Sequence, residues 1–271
     1  HMYTYKGLTT HEEDNSIYYI GDSKYYKRNN QIGRESVYKQ FTYARNVIQW
    51  HLNLFMDNEK DDAEWKNRLP ELRDDVTEGY NVIPNFFISA KLNEELSYKE
   101  EIERTDRRLT HFDNKHFKNR LFDRDTLLVC HYDVNFLYVV SLYARNNTFQ
   151  KDSWKEKVRE KFREEIQRML SEKYEFYAMS AHPDVDAETY IKEHFQDVLG
   201  KLYAPYSDKN VLSLALDKDK AYKSENDALL TELRKHFYVE GIDIGENPTA
   251  KLEQAKAEGV LDLSSNTSAG F

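Results

Sequence analysis

Tyrosine, isoleucine and threonine dominate residues 3–9 and 16–26, and the polar stretch His11-Glu12-Glu13-Asp14-Asn15 parts them. That pattern predicts a β-hairpin turning near Asp14. From Arg34 to about Met56 the apolar residues Val37, Phe41, Ala44, Ile48, Leu52 and Phe55 recur at intervals of three and four. This is the spacing of a helix with one apolar face, and Ser36 is a suitable N-cap. Residues 57–75 are charged and read as a loop with a short helix around Trp65, and residues 81–92 offer a strand after Pro84. A charged stretch over 93–118 reads as mixed helix and loop.

The longest apolar run, 126–143, exceeds one strand and is expected to break at Asp133-Val134-Asn135 into a strand and a second apolar element. Residues 152–172 place Trp154, Val158, Phe162, Ile166, Met169 and Leu170 on one face and alternating charge on the other, the clearest helix in the chain. A strand over Tyr174–Ser180 follows. Next come a helix capped by Asp186 and running to about Tyr203, a strand over 211–217, a helix over 225–237 and a strand over 237–244. Past Glu246 the pattern allows a final helix, and the end is polar, so 247–271 is expected to be a flexible tail. Helices alternating with short apolar strands predict an α/β fold, a mixed sheet flanked by helices with a further C-terminal α/β region. The organisation expected is 1–80, 81–246 and the tail.

With 271 residues, 39% hydrophobic and 14% aromatic, the chain can bury a substantial core. No apolar run approaches the length of about 20 residues that a membrane helix needs, and the N-terminus lacks a secretory layout, so a cytoplasmic protein is expected. His1-Met2 reads as the remnant of a cloning site, and the chain is expected to be a piece of something longer. The one cysteine, Cys130, cannot form an internal disulfide and reads as a small buried hydrophobe.

Net charge is −9, which by itself argues against a nucleic-acid partner. The distribution changes that picture. Residues 1–50 hold seven Lys/Arg and five Asp/Glu, a balance of +2, so the remainder carries −11. The positive excess surrounds Asp22-Ser23-Lys24 at the end of the second predicted strand. Residues two apart on a strand share a face, so a carboxylate and an ammonium are aimed at one spot. Phosphodiester hydrolysis uses such a pair: the carboxylate holds a divalent ion that clamps the phosphate and activates water, and the lysine stabilises developing negative charge.

Tyr19-Ile20-Gly21-Asp22-Ser23-Lys24-Tyr25-Tyr26, followed by a helix carrying Lys39, Gln40, Tyr43 and Ala44, resembles the (D/E)xK half of a PD-(D/E)xK nuclease and the helix behind it. The style of the chain is similar to bacterial restriction and phage-defence nucleases of the LlaJI-like kind. The resemblance covers roughly the first 50 residues. It implies a restriction-endonuclease-like fold and Mg²⁺-dependent cleavage of DNA, with Asp22 as metal ligand and catalytic residue and Lys24 as catalytic lysine. It implies Gln40 and Tyr43 as supporting residues from the helix, although Lys39 and Tyr43 have the more usual spacing. Lys27, Arg28, Arg34 and Lys39 would then contact backbone phosphates. A homodimer or a subunit of a defence complex fits such a protein.

The family's first acid is missing. A turn near Asp14 would set Asp22 opposite Tyr5 or its predecessor, where no carboxylate stands, and Glu12, Glu13 and Asp14 fall at the other end of the hairpin. An acid ahead of the present start is the expected answer. The only Pro-Asp pair, Pro183-Asp184, lies far downstream. His131 and Asp133 alternate on an apolar strand and could ligate a metal, but a satisfied core histidine with a capping aspartate is the commoner arrangement. The 20 tyrosines could stack on bases, though most are expected in the core and its rim. Alternatives to an enzyme are a non-catalytic, nuclease-like binding or scaffold module, and an acidic protein-interaction domain.

Overall fold

A computed structural model describes residues 2–9, 16–24, 34–56, 83–105, 119–121, 127–203 and 211–257, with the side chains of 16, 24, 34, 50–56 and 127–129 outside that description. Five strands form the first sheet: β1 (Met2–Lys6), β2 (Ser16–Lys24), β3 (Ile83–Lys91), β4 (Ile102–Arg104) and β5 (Leu127–Asn135), in the order β1-β2-β3-β5-β4. The inner strands β2, β3 and β5 run parallel, and β1 and β4 run antiparallel at the edges. Helix α1 (Arg34–Met56) lies between β2 and β3 in the chain, as a parallel crossover requires. It starts two residues ahead of the expected cap Ser36. The protein is thus mixed α/β, with a mixed sheet flanked by helices.

Strand alternation divides the sheet into two faces. Tyr18, Ile20 and Ile83 pack with Ala44 and Ile48 of α1. The opposite face presents Tyr5, Ile17, Tyr19, Phe86, Cys130 and Tyr132 to Phe162, Ile166 and Leu170 of the long helix α3 (Thr148–Lys173). Phe162 is the wedge, stacked on Tyr132 at 3.9 Å between ring centroids and 5.0 Å from Phe86. Cys130 is buried there with its Sγ 3.5 Å from Met169 Sδ, as expected of a small hydrophobe. Gly21 is explained by the same packing: a Cβ at that position would come within 2.5 Å of the Phe86 ring.

The run at 126–143 divides as its pattern suggested. Asn135 ends β5 and caps α2 (Phe136–Ala144), its Oδ1 accepting from the Leu137 N–H at 3.1 Å. Helix α3 begins earlier than its apolar face does, because Asn147 caps it through the Gln150 N–H at 3.1 Å.

A second, antiparallel sheet has the order β7-β8-β6-β9, formed by β6 (Tyr174–Ala181), β7 (Leu202–Tyr203), β8 (Val211–Asp217) and β9 (Phe237–Ile242). Tyr174, Phe176 and Ala215 join the core beneath α3, while Met179, Leu212, Leu214 and Leu216 face the helical side, with α4 (Ala187–Glu193), α5 (Phe195–Val198) and α6 (Lys223–Leu233).

Four expectations are corrected. The hairpin pairs Tyr5 with Ile17 and Met2 with Ile20, so it is centred near residue 11 and not Asp14; residues 10–15, with Glu12, Glu13 and Asp14, lie outside the described residues. The helix after Asp186 does not reach Tyr203. It stops at His194, whose ring stacks on Tyr190 at 4.1 Å while Gly200, at φ 72°, turns the chain into β7. A boundary at residue 80 would cut the first sheet, since β2 and β3 pair directly. The expected tail begins as helix α7 (Pro248–Ala257), which buries Leu252 against Ala178 and Val211. The loop and short helix expected around Trp65, and residues 106–118 of the expected mixed helix and loop, lie outside the described residues.

Candidate functional site

The three parallel strands end side by side, and the ends of parallel strands are where open α/β sheets place their ligands. In the register Lys24 stands opposite Ser89 and Ser89 opposite Asp133; one row earlier, Asp22, Phe87 and His131 are aligned. All six positions belong to the face that α1 covers, because Tyr18 and Ile20 lie on that face and period-two alternation carries it forward.

Asp22 is half-buried at the end of β2. It opens onto a cleft of about 390 Å³ between strand and helix, lined by Met2, Ile20 and Gly21 on one side and Tyr43, Asn46 and Val47 on the other. Tyr43 stands on the rim, 44% exposed. One turn nearer the helix start, Gln40 is fully buried, and neither its Nε2 nor its Oε1 has a hydrogen-bond partner among the described residues. Lys39 is exposed, which decides the inward position: Gln40 enters the interior and Lys39 does not. Thus Asp22 and Tyr43 meet at one cleft. Lys24 occupies the next position of β2 on that face, but its side chain, with that of Arg34 and the whole of Lys27 and Arg28, lies outside the description.

Beside this cleft runs a buried polar network. Ser89 Oγ and His131 Nε2 are 2.8 Å apart, and Asp133 Oδ1 is 3.8 Å from the same nitrogen. Asp133 Oδ2 accepts from Thr105 Oγ1 at 2.9 Å and forms a close ion pair with Lys91. Burial raises the Asp133 carboxyl, but the hydrogen bonds from Lys91 and Thr105, with the charges of Lys91 and His131, outweigh it and hold the group below the usual carboxylate range. Asp133 and Ser89 approach one ring nitrogen, so the three side chains do not form a nucleophile relay, which would need the acid on Nδ1. His131 is buried in the core and bonded through Nε2 to Ser89, and Asp133 does not cap, since Asn135 does. Ser89 and Lys91 were not singled out in the sequence. Their only signal is that they end the apolar run of β3.

Among the described residues no second acid stands with Asp22 to share an ion. Asp133 lies two strands and two residues from Asp22, roughly 12 Å at the backbone, and is held by Lys91. Among the described residues no group of three or more His, Cys, Asp or Glu is placed to hold a metal. Pro183-Asp184 forms the turn after β6 in the second sheet, remote from Asp22. Among the described residues no helix is long and apolar enough to cross a membrane.

Compared with known proteins, the chain matches no protein-family model, no curated protein and no solved structure.

Proposed function

We propose that this protein is a Mg²⁺-dependent nuclease that hydrolyses phosphodiester bonds of DNA, of the kind used in restriction and phage defence. The observation that carries the reading is the cleft at the end of β2, where Asp22 and Tyr43 meet, with the amide of Gln40, one turn before Tyr43 on α1, buried and without a hydrogen-bond partner among the described residues. Buried amides left without partners are costly, and sites that receive a ligand are where such costs persist.

The residues fit Mg²⁺ in part. This ion keeps several waters and takes one or two carboxylates together with substrate phosphate, so Asp22 supplies one of the ligands required. When bound, the ion supplies charge neutralisation on the phosphate and an acidified water. Asp22 would hold it at the cleft mouth, Lys24 would offset charge on the phosphate, Gln40 would support the site from within α1, and Tyr43 would line its rim. Lys27, Arg28, Arg34 and Lys39 would meet the DNA backbone.

The test is DNA cleavage by the whole protein with Mg²⁺, comparing wild type with Asp22→Asn and Lys24→Ala. Loss of at least about a hundredfold in rate for each is expected. Cleavage by both variants at the wild-type rate overturns the reading, and wild type that binds DNA without cutting it assigns the fold to a non-catalytic binding module.

A further inference from the structure

Helix α2 is unusual in this molecule. It is almost entirely apolar in sequence, yet among its residues only Leu142 is fully buried, and Phe136, Val140 and Tyr143 are each more than 40% exposed. These three lie at i, i+4 and i+7, so they form one stripe along the helix. The loop after β3 is tied to the N-terminal end of this helix. Asn135, at the start of α2, donates to the carbonyls of Ser97 and Lys99 at 2.9 and 2.7 Å, which fastens that loop to the helix N-terminus. Within the loop, Leu96 is 62% exposed and adopts φ 46°, a conformation that leucine disfavours. Asn93 holds it there, its O accepting from the Leu96 N–H at 3.1 Å and its Oδ1 from the Ser97 N–H at 2.8 Å. A backbone conformation with a cost is thus maintained to present a leucine to solvent. Observed strain of this kind points to a contact made there.

We propose that this face is the interface of a homodimer, the occupant being a second copy of the same chain. The pattern is self-complementary, as a two-fold interface requires. Val140 lies midway between Phe136 and Tyr143, so an antiparallel pairing of two α2 helices about Val140 sets Phe136 of each copy beside Tyr143 of the other. Charge follows the same symmetry. The loop at the N-terminal end of the stripe carries Glu94, which has no ion pair among the described residues, and the other end carries Lys151, whose Nζ lies 5.6 Å from the centre of the Tyr143 ring. The two-fold brings the acid of one copy to the cation of the other. The proposal does not depend on the nuclease reading.

Sedimentation velocity on the full chain, from low to high micromolar, tests it. Wild type is expected to be a dimer at the upper end. Val140→Asp places two carboxylates at the axis and is expected to weaken association by at least about a hundredfold, with the thermal midpoint of the wild type measured at low concentration, where both are monomers, because the site is exposed there. Glu94→Lys and Lys151→Glu are each expected to weaken the dimer, and the double variant to restore it. A wild type that stays monomeric overturns the proposal. So does a dimer that Val140→Asp leaves intact, or a double variant no tighter than the single ones. If Val140→Asp changes only DNA binding and not mass, the stripe is a nucleic-acid platform and the proposal is equally overturned.

Discussion

Ser89 and His131 are 42 residues apart in the chain and meet at 2.8 Å inside it, Oγ against Nε2, on neighbouring parallel strands. The contact joins β3 to β5 at the sheet end where Asp22 also stands, and it holds a fully buried imidazole in one orientation. Ser89→Ala removes that partner and is expected to cost about 1–3 kcal/mol, read as a lower urea midpoint with an unchanged slope. A midpoint equal to wild type would show that the hydroxyl contributes nothing.

The Asp133 carboxylate is held below its usual range, Lys91 and Thr105 outweighing the opposing effect of burial. A carboxylate whose folded-state pKa is depressed stabilises the fold above its unfolded pKa of about 3.9, and that contribution disappears as pH falls through the lower, folded value. Asp133→Asn is therefore expected to be less stable than wild type at neutral pH, and the gap to narrow as pH drops below about 4. Unfolding free energies measured at a series of pH values check this. A gap that stays constant would mean that packing, and not charge, sets the difference.

Gln40 separates stability from function. Its buried amide lacks partners on both polar atoms among the described residues, so Gln40→Leu removes a desolvation cost while keeping volume. We expect a gain of about 1 kcal/mol in stability together with loss of Mg²⁺-dependent cleavage. Denaturation and cleavage measured on one preparation give both readouts. A destabilised variant would mean that bound water satisfies the amide.

Gly21, immediately before Asp22, is dictated by its neighbour across the sheet. Gly21→Ala forces a methyl group into the Phe86 ring, which is confined between Tyr132 and Phe162, and is expected to cost about 1–3 kcal/mol in thermal or urea unfolding.

Phe162 fastens α3 to the sheet, and Phe162→Ala is expected to cost about 3–5 kcal/mol, since its stacking partner Tyr132 is itself fully buried and cannot close the cavity. A loss below about 1 kcal/mol would show that the helix is held elsewhere.

Element identity was legible in the chain because local periodicity sets it. The stripe of α1, the apolar run of β3, the helix over 152–172 and the division of the long run before Phe136 all follow from spacing within a few residues. The charged pair at the end of β2 was visible for the same reason, and so was the small, buried character of Cys130. What only tertiary structure decided is pairing over distance. The hairpin centre moved from Asp14 to about residue 11, because the partners of Ile17–Ile20 were set by packing on α3 and α1 and not by the polar residues between the strands. Ser89, Lys91, His131 and Asp133 become one network only when β3 and β5 align in parallel, a register that no local pattern encodes. Gln40 and Lys39 are adjacent in sequence and chemically alike as polar helix residues; the packing of α1 on the sheet buries one and leaves the other in water.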